Sequence, residues 1–232
     1  MKLAIMQPYL FPYIGYFQLI KAVDKFVVYD DVNFIKKGWI NKNCILIGAQ
    51  KHCFTVPLKA ASQNRLIKDI EVGIDDKWSE KFLRSIAQSY QKEKFFDETF
   101  DFVEQVIRSG ENYISKMIVQ SLHILKEKFD LPTEIVDSST GYANAELSGQ
   151  ERILDICRRE NASQYINPIG GIDLYNAEFF ADNGIKLSFL QTSSVQYKQN
   201  INEFIPHLSI IDVLMFNGFA GTKNFLSCYN LV

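Results

Sequence analysis

Long hydrophobic runs are missing from this sequence of 232 residues. No stretch approaches the ~20 consecutive apolar residues of a membrane-spanning helix, and the first residues lack the apolar core and cleavage site of a secretory signal peptide. We therefore expect a cytoplasmic protein without a membrane span. With 47% hydrophobic and 22% charged residues, the composition is typical of a globular domain.

Cysteine is scarce and irregularly spaced. The four cysteines, Cys44, Cys53, Cys157 and Cys228, include no pair with CxxC spacing. Because zinc sites and redox motifs use that spacing, we expect neither a metal site nor a disulfide framework. The cysteines are interpreted as small buried apolar residues of a protein in a reducing compartment.

The common catalytic and nucleotide-binding signatures are absent as well. The sequence contains no GxGxxG motif, no GxxxxGK[ST] motif and no Ser/His/Asp motif. The three histidines are His52, His123 and His207. Of these, only His207 is a candidate catalytic residue, because it follows Pro206 and precedes a predicted capped helix.

Positive charge is concentrated near the N-terminus. Residues 1–60 hold eight lysines and three aspartates, without any arginine or glutamate, whereas residues 61–232 carry a net charge of −7. An anionic small molecule, such as a nucleotide or a nucleotide-sugar, would be attracted to the N-terminal part. The chain lacks a dominant Lys/Arg stripe, so we do not expect a nucleic-acid partner.

The order of apolar segments predicts an α/β fold with a parallel sheet. A strand over 3–6, a helix over 14–23 and a strand over 26–29 form a βαβ unit. Strands and helices then alternate from residue 133 to residue 190, which indicates further parallel strands. We expect a single Rossmann-like domain covering residues 1–232.

Several other segments have clear local patterns. Residues 44–47 and 52–57 form a predicted hairpin with a four-residue connector, and the alternation over 67–74 predicts a strand. Helical periodicity predicts a helical insertion at about residues 75–130, and a last helix over 210–216 that Asn217 and Gly218 end.

Polar residues follow the first two predicted strands. Gln7, Tyr9, Gly15 and Tyr16 belong to the loop and helix start after strand 1, where ligands bind in open α/β sheets. Gly15 would let a ligand approach the free N–H groups of the helix. The alternative is that prolines shape a tight crossover and that the aromatic residues belong to the core.

Two carboxylates, Asp30 and Asp31, follow strand 2. Paired carboxylates at a strand end suit a general base or a metal ligand, and we interpret them as candidate catalytic residues. The alternative is that one caps the next turn and the other forms a salt bridge with a lysine.

A dense polar cluster follows, with lysines, asparagines and a tryptophan. Its members are Lys36, Lys37, Trp39, Asn41, Lys42 and Asn43. Lysines match phosphate charge, amides bind hydroxyls and an indole stacks on a base or sugar. If the segment is extended, alternation places Trp39, Asn41 and Asn43 on one side. An edge strand protected by lysines is the alternative.

A second candidate loop follows the predicted strand over 164–166. It contains Asn167, Gly170, Gly171 and Tyr175, and its paired glycines permit close approach of a ligand to the backbone. A plain turn is the alternative. If both loops bind ligand, the carboxyl ends of several strands share one site.

The N-terminal motifs resemble those of the WbqC-like family, whose members often accompany surface-polysaccharide (O-antigen-type) gene sets. The residues in register with the family pattern are Gln7, Pro8, Pro12, Gly15, Tyr16, Phe17, Asp24, Asp30, Asp31, Phe34, Lys37, Trp39, Asn41 and Asn43. Lys42 departs from the pattern, which carries arginine there, and lysine offers a point charge in place of a bidentate fork. The resemblance extends through residues 165–175 and 208–218.

The resemblance implies an enzyme acting on a nucleotide-linked amino sugar, with acyl or aminoacyl transfer onto the sugar amine as the reaction. The βαβ start is similar in topology to nucleotidyltransferases and synthetases, which points to ATP or an activated acyl donor, although both histidines of their HxGH signature are absent. Two alternatives stay open: a non-catalytic binding or assembly protein of the same pathway, and a nucleotidyltransferase. The oligomeric state is open.

Overall fold

A six-stranded sheet forms the centre of the computed structural model, which describes residues 1–193 and 195–232. Two short antiparallel pairs lie outside it, β3 with β4 and β5 with β6. In chain order the strands are β1 (Lys2–Met6), β2 (Lys25–Val28), β3 (Lys42–Ile47), β4 (Gln50–Thr55), β5 (Leu58–Lys59), β6 (Glu71–Val72), β7 (Glu134–Val136), β8 (Gln164–Pro168), β9 (Lys186–Thr192) and β10 (Tyr229–Leu231).

The strand order of the central sheet is β7-β2-β1-β8-β9-β10. All neighbours are parallel except β9 and β10, which are antiparallel. The chain builds outward from β1 through β2 to β7, then returns to β8 on the other side of β1, so the order reverses between β1 and β8. Ligands of open α/β sheets bind outside the carboxyl ends of the strands at such a reversal. The predicted Rossmann-like α/β fold is confirmed, and the single-domain organisation stays a prediction.

Helices cover both faces of this sheet. They are α1 (Ile14–Ala22), α2 (Asp76–Tyr90), α3 (Phe96–Ile107), α4 (Ile114–Lys128), α5 (Gly149–Arg159), α6 (Ala177–Ala181) and α7 (Ile210–Phe225). Successive strand residues point to opposite faces: Ala4 packs in the core with α1, α3, α4 and α7, whereas Leu3 and Ile5 pack in the core with α5 and α6. No helix within the described residues is long and apolar enough to cross a membrane.

The hairpin of β3 and β4 corrects the interpretation of the cysteines. The turn has two residues, Gly48 and Ala49, both with positive φ, instead of the expected four-residue connector. The shorter turn changes the register and sets Cys44 opposite Cys53, and a disulfide joins them. The prediction of separate buried thiols is therefore wrong for this pair, whereas Cys157 is a buried free thiol.

One further local prediction was wrong, and another was incomplete. The segment 67–74 forms a short 3-10 helix, Ile67–Asp69, followed by the two-residue strand β6, although its residues alternate. The predicted helix end at Asn217 and Gly218 agrees with the first part of α7, whose helical geometry breaks at Gly218. That residue has φ 65° and ψ 178°, which kinks the helix, and the chain resumes helical geometry as far as Phe225.

Candidate functional site

The loop between β1 and α1 has a fixed shape. Phe11, in the second half of this loop, is fully buried and has φ 46°, a conformation that residues other than glycine rarely adopt. The Phe11 carbonyl accepts hydrogen bonds from Asn43 Nδ2 and from Ser209 Oγ, each at 2.7 Å. The β3 hairpin and the start of α7 therefore hold this loop from two sides, and the cost of the positive φ is offset by these contacts.

A groove opens beside this loop and brings four predicted site residues together. We call it the aromatic groove; it has a volume of about 370 Å³. Tyr9, Trp39, Asn43 and His207 come from the sequence predictions, and Trp39 is 48% exposed. The complete lining is Tyr9, Pro12, Tyr13, Trp39, Asn43, Lys51 and His207. Three aromatic rings, a lysine and a histidine thus face one space.

A larger cleft adjoins the aromatic groove. We call it the polar cleft; it measures about 630 Å³ and lies where the carboxyl end of β9 meets the start of α1. Its polar lining residues are Tyr13, Thr192, Ser193, Gln196, Tyr197, Glu203 and His207. Tyr13 and His207 line both spaces, and their rings meet edge to face at 6.0 Å between centroids. These two side chains form the boundary between groove and cleft.

Gly15 is needed at the start of α1 for packing. A Cβ atom on Gly15 would collide with the Tyr13 ring and would lie 2.7 Å from Thr192 Oγ1. The close approach that the sequence predicted for a ligand is therefore made by Tyr13. Tyr16, one residue later, is buried, and its hydroxyl donates to the Gln7 carbonyl at 2.9 Å, which braces the carboxyl end of β1. Burial raises the pKa of the Tyr16 hydroxyl well above its usual value.

A buried carboxylate that the sequence analysis missed lies behind the polar cleft. Asp212, in the first turn of α7, accepts hydrogen bonds from Tyr90 Oη at 2.6 Å and Tyr197 Oη at 2.7 Å. Gln199 Nε2 donates to the same carboxylate at 3.2 Å. Burial raises the pKa of Asp212 above its ordinary value of 3.8, and the hydrogen bonds oppose that shift. Because Tyr197 lines the polar cleft, Asp212 fixes one of its walls.

Asp30 does not line either cavity that His207 lines. It is 3% exposed and accepts hydrogen bonds from Ser115 Oγ at 2.6 Å and Ser138 Oγ at 2.7 Å. Asp30 lines a third cleft of about 570 Å³, which has no lining residue in common with the aromatic groove or the polar cleft. The structure does not bring Asp30 together with the other candidate catalytic residue, His207.

Asp31 forms a buried ion pair with Arg152, a residue that the sequence analysis missed. Its carboxylate binds Arg152 Nη2 and accepts a hydrogen bond from Ser139 Oγ, while Arg152 Nε donates to Asn144 Oδ1 at 2.9 Å. Asp31 is 7% exposed and Arg152 is 4% exposed. The structural alternative for this pair of aspartates was a salt bridge with a lysine. The salt bridge is present at Asp31, but the partner is an arginine. Helical periodicity could have identified Arg152, because it lies four residues before the buried Ile156 on the same face of α5.

Asn41 does not face the same way as Trp39 and Asn43. Its Nδ2 donates to the Val56 carbonyl at 2.7 Å, and it lines a fourth cleft of about 410 Å³ with Lys37 and Lys42. The expected alternation was wrong because β3 begins only at Lys42, after a turn closed by a hydrogen bond from the Gly38 N–H to the Ile35 carbonyl. The polar cluster is therefore divided between two cavities.

The loop after β8 is occupied by its own hydrogen bonds. The buried Tyr165 hydroxyl donates to Asn167 Oδ1 at 3.1 Å and lies 3.3 Å from Tyr175 Oη. Gly171 is required here because a Cβ atom would collide with Asn167 Nδ2. Gly170 is exposed with open space around it. Binding roles for these residues stay predictions, and the contacts account for Asn167 and Gly171 without a ligand.

The fold and cavities define an α/β protein whose open, mainly parallel sheet carries an aromatic groove and a polar cleft next to its first helix. The chain belongs to the WbqC-like protein family, whose model matches residues 7–224. It is also 25% identical over 228 residues to the uncharacterized protein Rv1507c of Mycobacterium tuberculosis, covering 97% of each chain. No solved structure matches the chain.

Proposed function

We propose that the protein is an enzyme of surface-polysaccharide biosynthesis that binds a nucleotide-linked amino sugar and transfers an acyl or aminoacyl group to the sugar amine. The observation that carries the proposal is the aromatic groove, which meets the polar cleft at Tyr13 and His207. Membership in the WbqC-like family supports the pathway, because the resemblance to that family implies an association with such gene sets.

The lining of the aromatic groove suits a base or a sugar ring next to phosphate. The half-exposed ring of Trp39 offers a stacking surface that tolerates either kind of ring, and Tyr9 and Tyr13 extend the aromatic lining beside it. Lys51 supplies a positive charge at the same groove, and a lysine attracts phosphate as a point charge. In the proposed complex the ring stacks on Trp39 while the diphosphate lies against Lys51.

His207 is the proposed general base because it faces both spaces. The sugar amine attacks the carbonyl carbon of an activated acyl donor, such as an acyl adenylate. The C–N bond forms, the bond to the leaving group breaks, and the leaving group takes the electron pair. His207 accepts the proton that the amine loses. The polar cleft holds the acyl donor in this arrangement.

Titration calorimetry with uridine diphosphate amino sugars tests the binding step. Stacking on an aromatic ring contributes about 1–3 kcal/mol per base, so Trp39→Ser is expected to weaken binding by about 5- to 150-fold. Tyr113→Ser is the matched control, since Tyr113 is also an exposed aromatic residue but lines the third cleft, together with Asp30. If neither nucleotide-sugars nor ATP bind the intact protein, the proposal fails.

His207→Ala tests the chemical step. Removing a general base costs roughly 10²- to 10⁴-fold in rate, while the affinity for the nucleotide-sugar should stay the same. His52→Ala, on the exposed strand β4, is the control and should retain full transfer activity. Binding without transfer from any acyl donor would favour a non-catalytic binding protein. Release of diphosphate from a nucleoside triphosphate, with a sugar phosphate as acceptor, would favour a nucleotidyltransferase.

A further inference from the structure

A short turn next to the aromatic groove exposes an unusual combination of side chains. The Gly38 N–H donates to the Ile35 carbonyl at 3.2 Å, and Lys37 has φ 64°, so residues 35–39 reverse direction tightly. Ile35 is 52% exposed and Trp39 is 48% exposed, on either side of Lys36 and Lys37. We call residues 35–39 the exposed turn.

The chain segment that contains the exposed turn carries only positively charged side chains. Residues 32–68 contain six lysines and one arginine, without a single aspartate or glutamate. Lys36 and Lys37 form no ion pair with any residue that the structure describes. Both line the fourth cleft with Lys42, and that cleft has no carboxylate in its lining. Lys59 and Lys68 pair with Glu71 and Asp69, whereas Lys36, Lys37 and Lys42 have no ion-pair partner within the described chain.

Exposed apolar residues and lysines have ordinary explanations when each occurs alone. Single surface isoleucines need no partner, and surface lysines are usually solvated. Here a large aliphatic side chain, an indole and two unpaired lysines share five consecutive residues. The interface of a membrane matches both properties: tryptophan favours the headgroup level, and lysines are attracted to anionic lipids.

We propose that the exposed turn docks the protein onto an anionic lipid surface. Ile35 enters the boundary between headgroups and acyl chains, Trp39 lies at headgroup level, and Lys36 and Lys37 contact lipid phosphates. A nucleic acid would also attract the lysines, but it offers no apolar phase for Ile35. The exposed aliphatic side chain therefore favours the lipid surface.

Docking would also orient the aromatic groove. Trp39 belongs to the exposed turn and to the groove lining, so the groove mouth would lie close to the lipid headgroups. The docking proposal stands on exposure and charge, and it does not depend on which ligand the groove binds.

Co-sedimentation of the full chain with vesicles tests the proposal. One vesicle preparation contains phosphatidylglycerol with phosphatidylcholine, and the other contains phosphatidylcholine alone. We expect binding to the first preparation only, weakening as salt rises. Each lysine near an anionic surface contributes about fivefold in affinity, so the double variant Lys36→Gln, Lys37→Gln should bind about 30-fold more weakly. Ile35→Ser should weaken binding by about tenfold or more.

Matched controls separate the turn from the general surface. Lys77→Gln with Lys81→Gln removes two exposed lysines from α2, and Leu174→Ser removes a side chain that is 71% exposed elsewhere. Both controls should bind vesicles like the unmodified protein.

Three results would overturn the docking proposal. They are no binding to anionic vesicles, equal binding to both preparations, and equal losses in the turn variants and the controls. In a competition assay, single-stranded RNA could bind the protein more tightly and displace it from the vesicles. That result would assign the lysines to a nucleic acid instead. Nucleotide-sugar affinity measured without lipid tests the proposed function separately, because Ile35 does not line the groove.

Discussion

The aromatic groove and the Asp30–Asp31 pair both contain polar or aromatic residues that the sequence selected within the first 43 positions, yet those side chains differ in whether they have a partner inside the chain. Asp30 and Asp31 are buried and accept hydrogen bonds from serines or an arginine of the same chain. Trp39 is half exposed and faces an open groove. Residues whose partners lie inside the chain stabilise the fold, and residues that face open space are available to a ligand.

The largest expected effect comes from breaking the buried ion pair. Arg152→Ala leaves the Asp31 carboxylate buried and unpaired, which typically costs about 3–5 kcal/mol. We expect a loss of that size in the free energy of unfolding, measured by urea denaturation. Arg84→Ala, an exposed arginine on α2, is the control and should change stability by no more than about 0.5 kcal/mol.

A second variant sharpens the same test. Adding Asp31→Asn to Arg152→Ala removes the unpaired charge, so part of the lost stability should return, because neutral replacement of a buried pair is much less costly than breaking it. If Arg152→Ala costs less than about 1 kcal/mol, Asp31 does not depend on Arg152. The catalytic interpretation of Asp31 would then be favoured over the structural one.

Asn43 lies between these two cases, because it lines the groove and also donates a hydrogen bond to the Phe11 carbonyl. Asn43→Ala removes the hydrogen bond to the Phe11 carbonyl and leaves that buried acceptor with Ser209 alone. We expect a loss of about 1–3 kcal/mol in unfolding free energy. Asn230→Ala, on the exposed part of β10, should have little effect. Unchanged stability together with weaker nucleotide-sugar binding would instead make Asn43 a ligand-binding residue.

The start of the fold was predictable from the sequence because its signals are local. Apolar strands, a proline-bounded loop and a helix over residues 3–29 fix the βαβ unit regardless of the rest of the chain. The hairpin register was not predictable in this way. It depends on a two-residue turn in which Ala49 adopts a positive φ, and alanine gives no signal for that conformation. Strand β10 was missed because it has only three residues and is recognised mainly by its antiparallel pairing with β9, which the sequence does not show.

The candidate site was predictable only in part, for a different reason. Trp39 was selected as part of the polar cluster and His207 for its place before a capped helix, and both line the same groove. Position at a strand end selected Asp31 and Asn167, because a sequence does not show whether a polar side chain has an internal partner. Arg152 and Asp212 were missed, since their partners lie 121 and 122 residues away in the chain.

The smallest expected effect completes the comparison. Trp39 is half exposed and makes no side-chain hydrogen bond among the described residues, so Trp39→Ser should change the unfolding free energy by no more than about 0.5 kcal/mol, measured by urea denaturation. The same variant should lose nucleotide-sugar affinity without a loss of stability. The main effect of Arg152→Ala should instead be a loss of stability. A stability loss of about 2 kcal/mol or more in Trp39→Ser would place Trp39 with the core residues. Trp39 is the clearest example of a residue that is available to a ligand. The distinction between such residues and those with partners inside the chain would then not hold for it.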